Sequence, residues 1–353
     1  NTRAIRRGSA KVIALCIARM VAYYVHDLNP LIFRLWDNVG PRWYGLAYVL
    51  AFACSYALFR LLAKRGYADL PVAKVGDFIT GAALFGVIVG GRLGYVLFYA
   101  PEMLGQPISI LQVWKGGMSS HGGMLGLLAF TFYYAWRHKI SWPNLGDNLG
   151  VSAPIGLFFG RCANFINGEL YGRATNVSWA VQFPKELLDD PIKRESAISA
   201  CAQIDPSLNS SDAIVAAVRH QPQVKEVLRG ILTPRHPSQL YEAFFEGIVL
   251  FAILWFVRTR MRQPNGVLTG LFFICYAIFR IVVEKFREPD ARCIAMFTHG
   301  QLFLLVENLN QPDAVAVFTR GQFFSFFLIA IGLAFVIAAK LRPTFPKKIA
   351  SRD

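Results

Sequence analysis

Acidic side chains are scarce in this chain: its 353 residues carry 22 Asp and Glu against 37 Lys and Arg, a formal net charge of +15. On a soluble protein such an excess would point to nucleic acid. No RNA-binding signature or basic amphipathic stripe is present, however, and the basic residues sit between apolar runs, as in the short loops of a membrane protein. No nucleic-acid partner is expected. Cysteine is also sparse and unpatterned. The six (Cys16, Cys54, Cys162, Cys201, Cys275, Cys293) form no CxxC and have no histidine at ligand spacing, so neither a structural zinc site nor any other metal is expected. Cys54, Cys162 and Cys275 fall in apolar runs and read as small buried residues. Cys201 and Cys293 lie in longer polar loops, and spacing alone leaves a pairing between them open. No internal repeat of the kind that builds inverted-repeat transporters is visible.

Apolar residues dominate instead. They make up 54% of the chain, and the mean hydropathy is +0.39, values of a polytopic membrane protein. Apolar runs of roughly 20 residues, the length that crosses a bilayer, are expected near Tyr44–Leu62, Phe78–Tyr99, Ser119–Trp136, Leu149–Asn164, Gln239–Val257, Val267–Phe286 and Gly321–Lys340. The second and fourth are rich in glycine (Gly81, Gly86, Gly90, Gly91, Gly94; Gly150, Gly156, Gly160), which permits close helix–helix approach. The fold class expected is an all-α polytopic membrane protein with about seven transmembrane helices and a small extracytoplasmic arm or head domain. The expected divisions are an N-terminal extension over 1–27, spans one to four over 28–167, the arm over 168–237, spans five to seven over 238–340 and a cytoplasmic tail over 341–353. Basic clusters after spans one, three, five and seven (Arg60, Lys64 and Arg65; Arg137 and Lys139; Arg258, Arg260 and Arg262; Lys340 and Arg342) set the orientation, with the arm outside. The basic stretch over 1–19 runs against that assignment and resembles a weak signal-like or start-site extension, so it is left out of the fold argument.

Two arginines stand inside apolar stretches, Arg161 in the fourth span and Arg280 in the sixth. An intramembrane arginine costs several kcal/mol unless it is paired or faces a polar cavity, so each is a functional candidate. In the expected topology Tyr44, Arg92, His121, the group Arg161, Asn164, Asn167 and Glu169, and the pair Arg280 and Glu284 all fall near the outer headgroup level. Tyr276, Arg280 and Glu284 recur at i, i+4, i+8 and are expected on one helix face, as are Arg161 and Asn164 at i, i+3. A guanidinium fork suits phosphate because it donates two hydrogen bonds at once and stays charged. Bland readings stand beside these: Tyr44 suits an aromatic belt, Arg92 a snorkelling side chain, Asn164 and Asn167 a helix end.

The words Gly160-Arg-Cys-Ala-Asn-Phe-Ile-Asn-Gly-Glu-Leu-Tyr-Gly172 resemble the signature of the prolipoprotein diacylglyceryl transferases. The resemblance runs in order through Arg42-Trp-Tyr-Gly45, Gly90-Gly-Arg-Leu-Gly-Tyr-Val-Leu-Phe-Tyr99, Gly116-Gly-Met-Ser-Ser-His-Gly-Gly123, Arg235-His-Pro-Ser-Gln-Leu-Tyr-Glu242, Tyr276-Ala-Ile-Phe-Arg-Ile-Val-Val-Glu284 and Phe286-Arg-Glu-Pro-Asp290. Ala163 stands where the family usually has Gly, and nothing between Phe183 and Pro234 matches. The resemblance implies transfer of the diacylglyceryl group from phosphatidylglycerol to the lipobox cysteine of a bacterial prolipoprotein signal peptide. A thioether forms and glycerol phosphate leaves. It further implies a bacterial cytoplasmic membrane enzyme, surrounded by membrane lipids, reacting at its outer, periplasmic side with no cofactor. By motif, Tyr44, His121, Arg161, Asn164, Glu169, Gly172, Tyr276, Arg280 and Glu284 occupy functional positions. His121 is the expected base, with Glu284 or no protein base as alternatives; Arg161 and Arg280 are the expected phosphate clamp. Arg92, Asn167 and the tyrosines complete the expected substrate contacts.

Two other readings compete. An intramembrane serine protease would use Ser119 or Ser120, but these adjoin His121 directly and no Gly-x-Ser-Gly is present. A lipid or anion transporter with an outward-facing arginine-lined cavity would carry charge through the full membrane depth, whereas the polar residues here gather near one face.

Overall fold

The computed structural model describes residues 23–35, 40–113, 116–288, 295–298, 301–304 and 320–346. In chain order its principal helices are α1 (Trp43–Lys64), α2 (Val72–Phe98), α3 (Ser120–His138), α4 (Trp142–Asn167), α5 (Pro191–Cys201), α6 (Ser211–Ala217), α7 (Pro222–Ile231), α8 (Ser238–Arg260), α9 (Val267–Val283) and α10 (Arg320–Leu341). Each of the apolar runs expected from sequence folds as a helix. Among the described residues α1, α2, α4, α8 and α10 are long and apolar enough to cross a membrane, while α3 and α9 have 19 and 17 residues. This is a membrane protein, mostly helical. Its chain forms two compact units, one of residues 1–45, 161–242 and 282–292, the other of 46–160, 243–281 and 293–353.

In the second unit α2 and α3 cross at backbone contact. Gly86, Gly90 and Gly94, spaced by four on α2, face Gly122 and Gly126 on α3. A Cβ on Gly90 would lie 2.7 Å from the Gly126 Cα, and one on Gly94 2.5 Å from the Gly122 Cα. Small residues at that spacing let two helices approach where no solvent drives them together. The same expectation fails for α4: a Cβ on Gly160 would meet nothing within 4 Å, and those on Gly150 and Gly156 only ordinary contacts at 3.6 and 3.8 Å. Both α2 and α8 contain a widened π-helical stretch, Ala82–Val89 and Ala243–Val249.

Helix α4 also begins seven residues before the expected Leu149. Asn144, Asp147 and Asn148 made its first turns look like loop, but their side chains are consumed internally. The Asn144 amide donates to the Tyr67 carbonyl (3.0 Å) and to Asn265 Oδ1 (2.9 Å). Asp147 accepts from the Gly266 and Thr269 amides (2.9 and 2.8 Å) and from the Thr269 hydroxyl (2.8 Å). Arg258 donates through Nη2 to the Tyr67 carbonyl (2.6 Å) and Asn148 Oδ1 (2.9 Å). Buried polar groups persist only when partnered in this way. Beside the network, Leu58, Leu62, Val151, Leu250, Leu254 and Leu268 form an apolar core.

The first unit contains a small sheet in the order β1 (Tyr24–Val25), β2 (Val181–Gln182), β3 (Pro234–Arg235). β1 runs parallel to β2, pairing Tyr24 with Val181, and β3 runs antiparallel to it. Helices α5 to α7 surround a core that includes Val25, Leu187, Cys201, Ile214, Val224 and Leu228. Their starts are written locally: Asp190 caps α5 by accepting from the amides of Ile192 and Lys193, and Ser210 caps α6 by accepting from Ala213. The segment expected as an arm therefore has its own apolar core. Tyr24 and Val25, assigned from sequence to an extension, supply one of its strands; residues 1–22 lie outside the described residues. Cys201 is a buried free thiol, and Cys293 falls outside the described residues. A two-stranded hairpin, β4 (Ala295–Thr298) with β5 (Gln301–Leu304), stands between α9 and α10.

Candidate active site

The signature segment closes α4 and turns. Gly168 and Leu170 adopt positive φ (66° and 56°), and the Glu169 amide donates back to the Asn164 carbonyl at 3.1 Å, an ending typical of helices that stop at a left-handed residue. The turn is threaded against the start of α8. Gln239 Nε2 donates to the Glu169 carbonyl (2.7 Å) and Ser238 Oγ to the Leu170 carbonyl (3.1 Å). Gly172 donates its amide to the His236 carbonyl at 2.9 Å and bridges to Arg287. A Cβ on Gly172 would lie 2.3 Å from the Phe286 carbonyl oxygen and 2.7 Å from that of His236; only glycine fits where three backbone segments meet.

At the centre is Glu242, fully buried. Arg161 Nε lies 2.8 Å from its Oε2 and Arg287 Nη1 3.0 Å from its Oε1. One buried carboxylate thus bridges two guanidinium groups, each meeting a different oxygen of it, and the opposite charges hold the three side chains together. Around them, Oδ1 of Asn164, Oδ1 of Asn167 and Oε1 of Gln239 are buried with no hydrogen-bond donor among the described residues. Glu169 accepts from Asn167 Nδ2 at 3.4 Å and pairs with Lys185 at 3.7 Å. From the N-terminal strand, His26 Nε2 reaches the Phe165 carbonyl at 2.7 Å. Since a carbonyl only accepts, Nε2 carries the proton; burial pushes this imidazole down to about 4, so it stands neutral.

The first unit therefore brings together Arg161, Asn164, Asn167, Glu169 and Gly172 as the sequence anticipates. It adds Glu242, Arg287, Gln239 and His26, which sequence reasoning did not single out. Glu242 and Arg287 lie inside quoted motifs, so the signal was on the page; His26 was set aside with the extension. Tyr44, half-buried in the first turn of α1, and Glu284, 4% exposed, belong to the same unit, and both are engaged by partners. Glu284 directly follows the last residue of α9, one turn beyond Arg280.

His121, Arg92, Tyr276 and Arg280 belong to the second unit. His121 is exposed in the first turn of α3, whose N-cap is the buried Ser119: its Oγ accepts from the Gly122 amide at 3.1 Å. That capping role answers the protease reading at Ser119. Arg92 does not snorkel. It is 5% exposed and gives its donors to the carbonyls of Ser109, Ile110, Gly116 and Gly117 at 2.6 to 2.8 Å, holding the loop that leads to His121. It is a clamp for that loop, in place of the substrate contact expected from sequence. Tyr276 stacks on Phe272, one turn before Arg280 on α9, with ring centroids 6.0 Å apart; both Tyr276 and Arg280 have interaction partners.

The family model described as prolipoprotein diacylglyceryl transferase matches residues 30–338. Proteins named phosphatidylglycerol–prolipoprotein diacylglyceryl transferase are similar along most of their length. That of Bdellovibrio bacteriovorus is 36% identical over 347 residues, covering 89% of this chain and 93% of its own. Those of Azospirillum brasilense and Geobacter sulfurreducens are each 38% identical, covering 92% and 90% of this chain and 99% and 98% of their own. With its signature turn built around Arg161 and Glu242, the chain belongs to the prolipoprotein diacylglyceryl transferase family.

Proposed function

We propose that this protein transfers the diacylglyceryl group of phosphatidylglycerol to the thiol of the lipobox cysteine in a prolipoprotein signal peptide. The sulfur attacks the glycerol carbon bearing the phosphate; a carbon–sulfur bond forms, the carbon–oxygen bond to phosphate breaks, and glycerol phosphate departs. The thiol proton passes to His121, directly or through water, because a neutral imidazole nitrogen accepts a proton and a thiolate is the reactive form. Arg161 and Arg280 hold the phosphate and stabilise the charge it gains on leaving. Arg161 is preset for this by Glu242, which also carries Arg287. The orphaned carboxamide oxygens of Asn164, Asn167 and Gln239 suit the hydroxyl donors of a glycerol headgroup, because buried acceptors without donors are costly until a ligand supplies them. The single observation carrying the reading is this arginine–carboxylate–arginine arrangement at the signature turn.

We place the protein in the bacterial cytoplasmic membrane, crossing it several times, with the reaction at the outer face. The sheet of the first unit supports the multiple crossings. β1 and β2 pair across the segment holding α1 to α4, and Gly172 bridges to Arg287 across the segment holding α8 and α9. Strands that pair lie on one side of a bilayer, so each of those segments crosses an even number of times. That parity favours α3 and α9 crossing alongside α1, α2, α4 and α8.

Purified protein incubated with labelled phosphatidylglycerol and a lipobox peptide should yield a diacylglyceryl adduct on cysteine, visible by mass. Lipid movement across proteoliposomes with no covalent product would instead establish the transporter.

A further inference from the structure

The second unit contains a cavity the proposed reaction does not use. Its volume is about 230 Å³, and its described lining includes Tyr67, Arg258, Arg260, Arg262 and Phe345 but no carboxylate. That is several times the roughly 30 Å³ share of one water, room for a phosphate and the alcohol it esterifies. It sits where α8 ends, beside the first turn of α9, with Leu268 in its wall. Along α9, Leu268 and Arg280 are 12 residues apart, about 18 Å at helical rise, so this is a different place from the proposed phosphate clamp.

Three features make it an anion site rather than a patch of solvated charge. Arg258, only 4% exposed, has its Nη2 satisfied by the Tyr67 carbonyl and Asn148, yet its Nε–H finds no acceptor among the described residues. Asp147, 4.0 Å from Arg258 Nη1, is already taken up by the Gly266 and Thr269 groups. Arg262 lies over the Phe345 ring at 4.9 Å and Arg258 over the Tyr67 ring at 5.4 Å, so aromatic walls hold both guanidinium planes. Arg260 and Arg262 are exposed at the mouth. The surroundings are apolar as well as basic: Met261 and Leu341 are exposed at the adjoining helix ends, at 47% and 76%. Basic pockets between the ends of membrane helices are where anionic lipid headgroups bind.

We propose that this cavity binds the phosphate headgroup of an anionic phospholipid, with Arg260 and Arg262 as its principal ligands and the acyl chains along the apolar helix ends. The test is native mass spectrometry of the detergent-solubilised full chain titrated with phosphatidic acid, a lipid without the glycerol headgroup, or with inorganic phosphate. Wild type should retain one phosphatidic acid molecule that Arg260→Gln/Arg262→Gln loses, with an apparent affinity at least about tenfold weaker. Arg161→Ala should keep that molecule, and inorganic phosphate should not displace it at millimolar concentration. Arg342→Gln removes an exposed charge outside the cavity and should leave binding intact. Equal loss in Arg342→Gln would mean diffuse surface charge, and full competition by inorganic phosphate would mean a free-anion site; either overturns the proposal, as does unchanged retention in the double variant. Melting in neutral detergent verifies folding, and the single variants Arg260→Gln and Arg262→Gln repeat the measurement.

Discussion

The buried carboxylates of Asp147 and Glu242 both face arginines, and they are used differently. In the network of Arg258, Asp147 is saturated by backbone amides and a threonine hydroxyl, and the guanidinium reaches a carbonyl and an asparagine. In the signature cluster one carboxylate, that of Glu242, orients two guanidinium groups, and three carboxamide oxygens nearby have no donor. The first arrangement ties α4, α8, α9 and the turn after α1 together. The second holds side chains in fixed directions while leaving hydrogen-bonding capacity for something else. A buried arginine is thus not functional by depth alone; what its neighbours leave unmet is the better guide.

Substitution should separate the two clusters. The largest effect is expected for Arg161→Ala, with kcat/KM falling about 10²-fold or more, roughly 3 kcal/mol of transition-state stabilisation. Melting should change little, because Glu242 keeps Arg287. Near-normal turnover would remove Arg161 from the chemistry. For Asp147→Ala the pattern should invert: stability falls by about 3 kcal/mol as Arg258 loses its carboxylate, while the folded fraction turns over normally. A catalytic defect without a melting shift there would erase the contrast.

A third test concerns how the signature turn is held. The His26 imidazole is neutral when folded, and its value of about 4 lies below the ordinary 6.5. Between those values the unfolded chain binds a proton that the folded chain does not. Stability should therefore rise with pH across this window, by up to about 3 kcal/mol. Unfolding of His26→Gln followed from pH 4 to 6.5 should show a shallower slope than wild type; equal slopes would assign the dependence to other groups. The smallest effects distinguish the two glycine-rich helices. Gly90→Ala forces a Cβ into the Gly126 backbone and should destabilise by about 1–3 kcal/mol. Gly160→Ala meets open space and should gain up to about 1 kcal/mol from helix propensity. A loss of activity at constant stability in Gly160→Ala would show that the open space receives substrate.

Much of this was legible beforehand. Apolar length located the long helices among the described residues, and one motif carries Arg161, Asn164, Asn167, Glu169 and Gly172 through the end of α4 and its turn. The misses have physical causes. Hydropathy started α4 too late because Asn144, Asp147 and Asn148 look like loop until their partners on other helices are known. Glu242 went unremarked because a carboxylate's role in steering two arginines depends on long-range approach. Glycine content misjudged α4, since composition does not say which face a neighbour occupies. The arm carried no motif, yet local caps at Asp190 and Ser210 and the buried Val224 and Leu228 of α7 mark an independently packed core.

The parallel pairing of Tyr24–Val25 with Val181–Gln182 sets an order of events during synthesis. The first strand leaves the ribosome more than 150 residues before the one it pairs with, and the antiparallel third follows later still. The earliest strand must wait, unpaired, while the four helices α1 to α4 are synthesised behind it. Loss of Tyr24 and Val25 should therefore appear first as a defect in biogenesis, with the segment of α5 to α7 open to proteolysis.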